Sequence, residues 1–143
     1  MDPRDFYQIA LGLSTSQKPG ERRTAIGRAY YAAYNVAANF LRSLKVIIEK
    51  KPESHKKVQE FLSNSGDKEI TKIAHKLETM RTMRNHADYD LDNLAPENIK
   101  SVEINMALAQ NFIETIDKCS TENERLTVVK TNVQNWREKN GYL

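Results

Sequence analysis

The sequence predicts an all-α protein, and three observations carry that prediction. Glycine and proline are scarce, with five Gly and four Pro in 143 residues. That is about half their usual share, and a sandwich or barrel needs a turn roughly every 8–12 residues. Apolar residues recur at spacings of three and four over long stretches, the period of a helix buried along one stripe. Neither GxGxxG nor GxxxxGK[ST] occurs, so the glycine-rich turns of nucleotide-binding α/β folds are missing. The expected architecture is a four-helix up-and-down bundle core with short extra helices, including a C-terminal amphipathic helix. Residues 1–120 form the bundle in this reading. Residues 121–143 form an extension that packs on the bundle or on a partner subunit.

Each element follows from its own pattern. Residues 4–13 place Phe6, Ile9, Ala10 and Leu13 on one face. Residues 14–20 (Ser-Thr-Ser-Gln-Lys-Pro-Gly) form a loop by composition. A long helix is predicted from about 21 to 50, with Ile26, Ala29, Tyr30, Ala33, Val36, Ala37, Phe40, Leu41, Leu44, Ile47 and Ile48 inward. Its many alanines let neighbouring helices approach closely. Lys50-Lys51-Pro52 should end it, because proline disfavours helix in the residue before it. Residues 54–63 form a short helix with Val58, Phe61 and Leu62 buried. Asp67 is a good N-cap for a helix over 68–89 carrying Ile70, Ile73, Ala74, Leu77 and Met80. After a turn-rich connector, Pro96-Glu97 suits the first turn of a helix over 97–118. Ile99, Val102, Met106, Ala109, Phe112, Ile113 and Ile116 form its core face. Thr121-x-x-Glu124 reads as a capping box that opens the last helix. There Leu126, Val129, Val133 and Trp136 make a narrow seam, with Trp136 as its anchor.

Composition excludes several classes of function. No apolar run approaches the ~18 residues of a membrane span. Met1-Asp2-Pro3-Arg4-Asp5 is polar, unlike a signal peptide. The one cysteine, Cys119, permits neither an internal disulfide nor a zinc cluster. A cytoplasmic location is expected, with no metal and no cofactor. Net charge is only +3, but residues 1–57 hold 11 basic and 5 acidic side chains, against 11 and 14 over 58–143. The basic half is either an ordinary solvated surface or one that attracts phosphates.

The informative stretch is Met80-Arg81-Thr82-Met83-Arg84-Asn85-His86-Ala87-Asp88-Tyr89-Asp90. On a helix turning about 100° per residue, with Ile70 as origin, Arg81 falls at about 20°, Arg84 at about −40° and Asp88 at about 0°. The core stripe therefore continues as charged side chains, with Asn85 at its border. Inward charges are costly unless paired or used. An Arg84–Asp88 ion pair, a helix end emerging into water, or a phosphate-binding cleft would each account for them. Arg28, Tyr31 and Asn35 share a face of the long helix. His55 and His75 have no partner at metal-ligand spacing and are expected at the surface.

Arg28-Ala29-Tyr30-Tyr31-Ala32-Ala33-Tyr34, followed by Arg84-Asn85-His86-Ala87-Asp88-Tyr89-Asp90, resembles the HEPN domain family over about residues 4–118. Within it, the chain is most similar to the small stand-alone members found beside minimal nucleotidyltransferases. The resemblance implies a metal-independent endoribonuclease that acts on RNA as a homodimer, as a toxin or defence component. It also implies a nucleotidyltransferase-type antitoxin as partner, and no membrane. An arginine would hold the scissile phosphate, and a histidine would act as general acid or base during attack by the ribose 2′-OH.

Two registers compete for that motif. Arg81-x4-His86 has the family's spacing, but Thr82 stands where a polar Asn, Asp or His is usual. Arg84-Asn85 matches that polar position, but Tyr89 then stands where the histidine belongs. Helix geometry puts His86 at about 160°, nearly opposite Arg81, so the two meet only if the helix loosens or a second subunit supplies one of them. The catalytic candidates are Arg81, Arg84 and His86. The binding candidates are Asn85, Asp88, Tyr89, Arg28 and Tyr31. If the Arg84 register holds, the chain is a degenerate module that binds nucleotide, RNA phosphates or a nucleotidyltransferase partner.

Overall fold

A computed structural model describes residues 1–141. It contains α1 (Arg4–Ser14), α2 (Pro19–Ser43), α3 (Ser54–Ser63), α4 (Lys68–Tyr89), α5 (Ile99–Thr121) and α6 (Asn123–Lys139), with a 3-10 turn over Ala95–Glu97. No strand occurs among the described residues. Helices α1, α2, α4 and α5 run alternately up and down. Arg4, at the start of α1, reaches Asp117 near the end of α5, and Tyr7 donates to the Met106 carbonyl. Arg22 and Arg23, at the start of α2, meet Glu97 before α5 and the carbonyls that close α4. The all-α bundle expected from the periodicity is therefore the fold.

The small residues of α2 do what their size allows. Ala25, Ala32, Ala33, Ala37 and Ala38 are all fully buried, so α2 is enclosed by α1, α4 and α5. Tyr30, Leu41, Leu77, Met80, Phe112 and Ile116 fill the space between them. Helix α3 lies against α4 and α2, and α6 lies against α5 and α3. Val129 and Val133 of α6 are buried, and Leu126 and Trp136 pack partly buried against the core. Of the expected 121–143 extension, residues 142 and 143 lie outside the described residues.

Several boundaries differ from expectation, beginning with α2, which starts at Pro19 inside the expected 14–20 loop. The long helix ends at Ser43, not near residue 50. Lys45 takes a left-handed conformation (φ 70°), and the Val46 amide bonds back to the Leu41 carbonyl at 3.1 Å, a Schellman-type stop. Beyond it Val46 and Ile48 are buried while Ile47 is 54% exposed, an alternation the helical spacing had masked. The β-branched run Val46-Ile47-Ile48 favours extended backbone over helix. Helix α5 starts after Asn98, whose side chain accepts from the Lys100 and Ser101 amides. Pro96-Glu97 therefore forms the 3-10 turn, and Ile99 is partly exposed. The capping box at Thr121 does not form. Thr121 is the last residue of α5, and its hydroxyl donates to the Lys118 carbonyl. Helix α4 matches its expected bounds, with the Asp67 side chain accepting from the Glu69 and Ile70 amides.

Candidate functional site

The end of α4 is fixed from α2. Arg23 is buried, and its guanidinium donates to the carbonyls of His86, Ala87, Asp90, Leu91 and Asn93. Its Nε also donates to Glu97 Oε2 at 2.9 Å. The last carbonyls of a helix have no partner within it, so this one cation closes α4 and anchors the connector behind it. Nothing breaks α4 before Tyr89, which sets the facing of every side chain from Arg81 onward.

Arg84 is held from several sides. Its Nη2 donates to the Tyr31 hydroxyl, and its Nη1 donates to Asn85 Oδ1 at 3.0 Å. The guanidinium carbon sits 4.9 Å from the Tyr31 ring centroid and 5.3 Å from that of Tyr89. Its Nε lies 3.0 Å from Asp88 Oδ2, but off the hydrogen-bond axis, so Nε itself has no hydrogen-bond partner. The side chain is 14% exposed and that of Asp88 34%. The Arg84–Asp88 pair weighed from the sequence thus exists, in contact with water. Arg81, one turn earlier, makes no hydrogen bond or ion pair among the described residues.

Both arginines open on a pocket of about 500 Å³ lined by Tyr31, Tyr34, Asn35, Arg42, Lys50, Lys51, Pro52, His55, Arg81, Arg84 and Tyr89. Five of these side chains are cationic, and none is acidic. Two other surface grooves are of similar size but mix the signs of their charges. One carries Glu49, Glu53 and Glu60 with lysines, and the other Glu69 and Glu114 with lysines. Only the α2–α3–α4 pocket is therefore uniformly positive among the three.

His55 corrects the expectation of a surface histidine. It begins α3 half-buried, stacked on Tyr34 with ring centroids 4.2 Å apart and on Tyr30 at 5.6 Å. Its Nδ1 shares a hydrogen bond with the Tyr30 hydroxyl. Burial, and then the charges of Arg81 and Arg84, push its pKa down to about 4, so the ring is neutral at pH 7. Burial likewise raises the pKa of Tyr30 and keeps its hydroxyl protonated.

Of the residues singled out from the sequence, Arg81, Arg84, Tyr31, Asn35 and Tyr89 line the pocket, and Asn85 and Asp88 touch Arg84. Arg28 turns toward α1, its guanidinium 5.1 Å from the Phe6 ring and 5.2 Å from the Tyr31 ring. His86 is half-buried and not part of the lining, as an unbroken α4 requires. Sequence reasoning missed Arg42, Lys50, Lys51 and His55. In the sequence the two lysines mark only a helix stop. The early end of α2 is what brings them to the pocket.

The molecule is thus a small helical bundle with a cationic, tyrosine-lined pocket where its second, third and fourth helices meet. It is 30% identical over 118 residues to the uncharacterized protein MJ0628 of Methanocaldococcus jannaschii, an alignment covering 71% of this chain and 70% of that protein. The chain belongs to the same family as that archaeal protein. No family model matches it, and no solved structure does.

Proposed function

We propose that the chain is a HEPN-type module that holds RNA or nucleotide phosphates in the α2–α3–α4 pocket. The carrying observation is the convergence of Arg42, Lys50, Lys51, Arg81 and Arg84 on one open pocket with no acidic lining. Clustered cations repel one another, and a bound polyanion relieves that repulsion. Arginine forks suit phosphate oxygens bidentately. Tyr89, 73% exposed at the rim, offers a ring face on which a base can stack. The test is fluorescence anisotropy of a labelled single-stranded RNA in EDTA. The double variant Arg81→Ala/Arg84→Ala should bind at least tenfold more weakly, and unchanged binding would overturn the proposal.

A second reading makes the chain a metal-independent endoribonuclease, a toxin or defence component acting as a homodimer with a nucleotidyltransferase-type partner. The unpaired Arg81 favours it, since a scissile phosphate needs a free guanidinium, and Arg81-x4-His86 keeps the family spacing. Because His86 lies outside the pocket lining, this reading requires a second subunit to bring histidine and arginine together. Wild-type protein that leaves RNA uncut in EDTA would remove this reading, and cleavage that persists in His86→Ala would remove His86 from it.

A further inference from the structure

We infer that His55 is a ligand-contacting residue of this pocket, a neutral hydrogen-bond donor supplied by α3 beside the arginines of α4. The inference rests on the reading of the pocket as a phosphate site. It begins with Tyr30, which is 1% exposed. The hydroxyl of Tyr30 meets His55 Nδ1 and makes no other hydrogen bond among the described residues. If Nδ1 carried the proton, it would donate to the phenol oxygen and leave the buried phenol proton without an acceptor, which is costly. The phenol therefore donates, Nδ1 accepts, and the ring proton resides on Nε2. Stacking on Tyr34 fixes the ring plane. With Nδ1 turned toward the core, the opposite edge, bearing Nε2–H, faces the pocket the ring lines.

This arrangement suits an anionic oxygen in a site already crowded with cations. A protonated imidazole would add to the repulsion from Arg81 and Arg84. A neutral one contributes a directed donor without further charge. The same tautomer makes His55 unfit to take a proton at Nε2, so its role is binding and orientation rather than general base catalysis.

The test uses the full chain and a fluorescein-labelled 2′-O-methyl decauridylate, which 2′-OH attack cannot cleave. His55→Phe keeps the stack and removes the N–H. It should weaken binding roughly tenfold or more, as expected for a hydrogen bond to a charged group, and His55→Gln should recover part of the loss. Long-range ¹⁵N–¹H spectra of the wild type should show His55 as the Nε2–H tautomer, and that proton should move on titration while those of exposed His75 stay fixed. An Nδ1–H tautomer, an unmoved resonance, or wild-type affinity in His55→Phe each overturns the inference. Should His55→Phe fold poorly because Tyr30 is left unpaired, Tyr30→Phe/His55→Phe replaces it and the wild-type spectra still decide. Arg81→Ala separates the two claims. If it weakens binding while His55→Phe does not, only the role of His55 falls. If neither weakens binding, the phosphate site falls as well.

Discussion

Arg84 lies over the ring of Tyr31 at 4.9 Å while donating to the same residue's hydroxyl, whereas Arg81, one turn away, makes no hydrogen bond or ion pair among the described residues. Two arginines on one helix face are thus in different states. Arg84 is held by α2 and by its own helix, and Arg81 is held by neither. A group with partners contributes to the fold, and a group without them is available to a ligand.

Arg81→Ala should therefore leave stability within about 0.5 kcal/mol of wild type, as for a substitution that removes no hydrogen bond or ion pair among the described residues. It should weaken RNA binding and lower the salt slope of log K by about one, as expected for one lost phosphate contact. Arg84→Ala should reduce both, because it strips Tyr31, Asn85 and Asp88 of a partner. Thermal melts and anisotropy at several salt concentrations check the split. Equal destabilisation by the two variants would contradict it.

Acid stability should carry the mark of His55. The ring titrates near its ordinary 6.5 in the unfolded chain and at about 4 in the folded one. Between those values the unfolded chain binds a proton that the folded chain refuses. Stability is therefore full above about pH 6.5, falls as pH drops through this window, and levels off below about pH 4. Asp67 adds a lower phase, since its hydrogen bonds with Arg125 and with the Ile70 and Glu69 amides hold its carboxyl below the ordinary 3.8. That contribution is present above pH 3.8 and is lost as pH falls further. Urea midpoints measured from pH 8 to 3 should show both phases, and His55→Phe should flatten only the upper one.

The sequence makes most of this fold legible, because helical stripes are local. Lys68–Tyr89 and Ser54–Ser63 stand where the periodicity and the Asp67 cap put them. The facing of Arg81, Arg84 and Asp88 follows from counting turns along an unbroken helix. The 44–50 segment was not legible, since Leu44, Ile47 and Ile48 satisfy a helical spacing that a left-handed Lys45 then interrupts. That one backbone reversal carries Lys50, Lys51 and His55 to the pocket, so the missed half of the site follows from the missed boundary. Arg23 was hidden for another reason. Its partners are backbone carbonyls far along the chain, and carbonyls leave no trace in side-chain pattern.

Arg23 should be among the most sensitive positions outside the apolar core. Removing it leaves the Ala87, Leu91 and Asn93 carbonyls and the Glu97 carboxylate without this donor in a half-buried setting. Arg23→Met should destabilise by about 2–4 kcal/mol, the range for breaking a buried polar network. Arg23→Lys should rescue little, because an ammonium cannot span acceptors that a planar fork reaches together. Hydrogen exchange of amides over 84–98 should accelerate in both variants more than exchange in α1. Uniform acceleration would show that Arg23 stabilises the whole bundle rather than this end of α4.

Gly66 joins α3 to α4 beside Asn132 of α6, and two effects there can be separated. Its φ of +74° is in the left-handed region, where a side chain costs about 1 kcal/mol. A Cβ at this position would also stand 2.4 Å from Asn132 Nδ2, closer than atoms can approach, so the α6 side chain would have to move. Gly66→Ala should destabilise by roughly 1–3 kcal/mol from both causes together. Asn132→Ala removes the obstacle but not the backbone strain. The double variant should therefore recover the steric share and retain about 1 kcal/mol, a coupling that a double-mutant cycle in urea measures directly. Strict additivity would mean that Asn132 swings aside freely and that backbone conformation alone demands glycine at this joint.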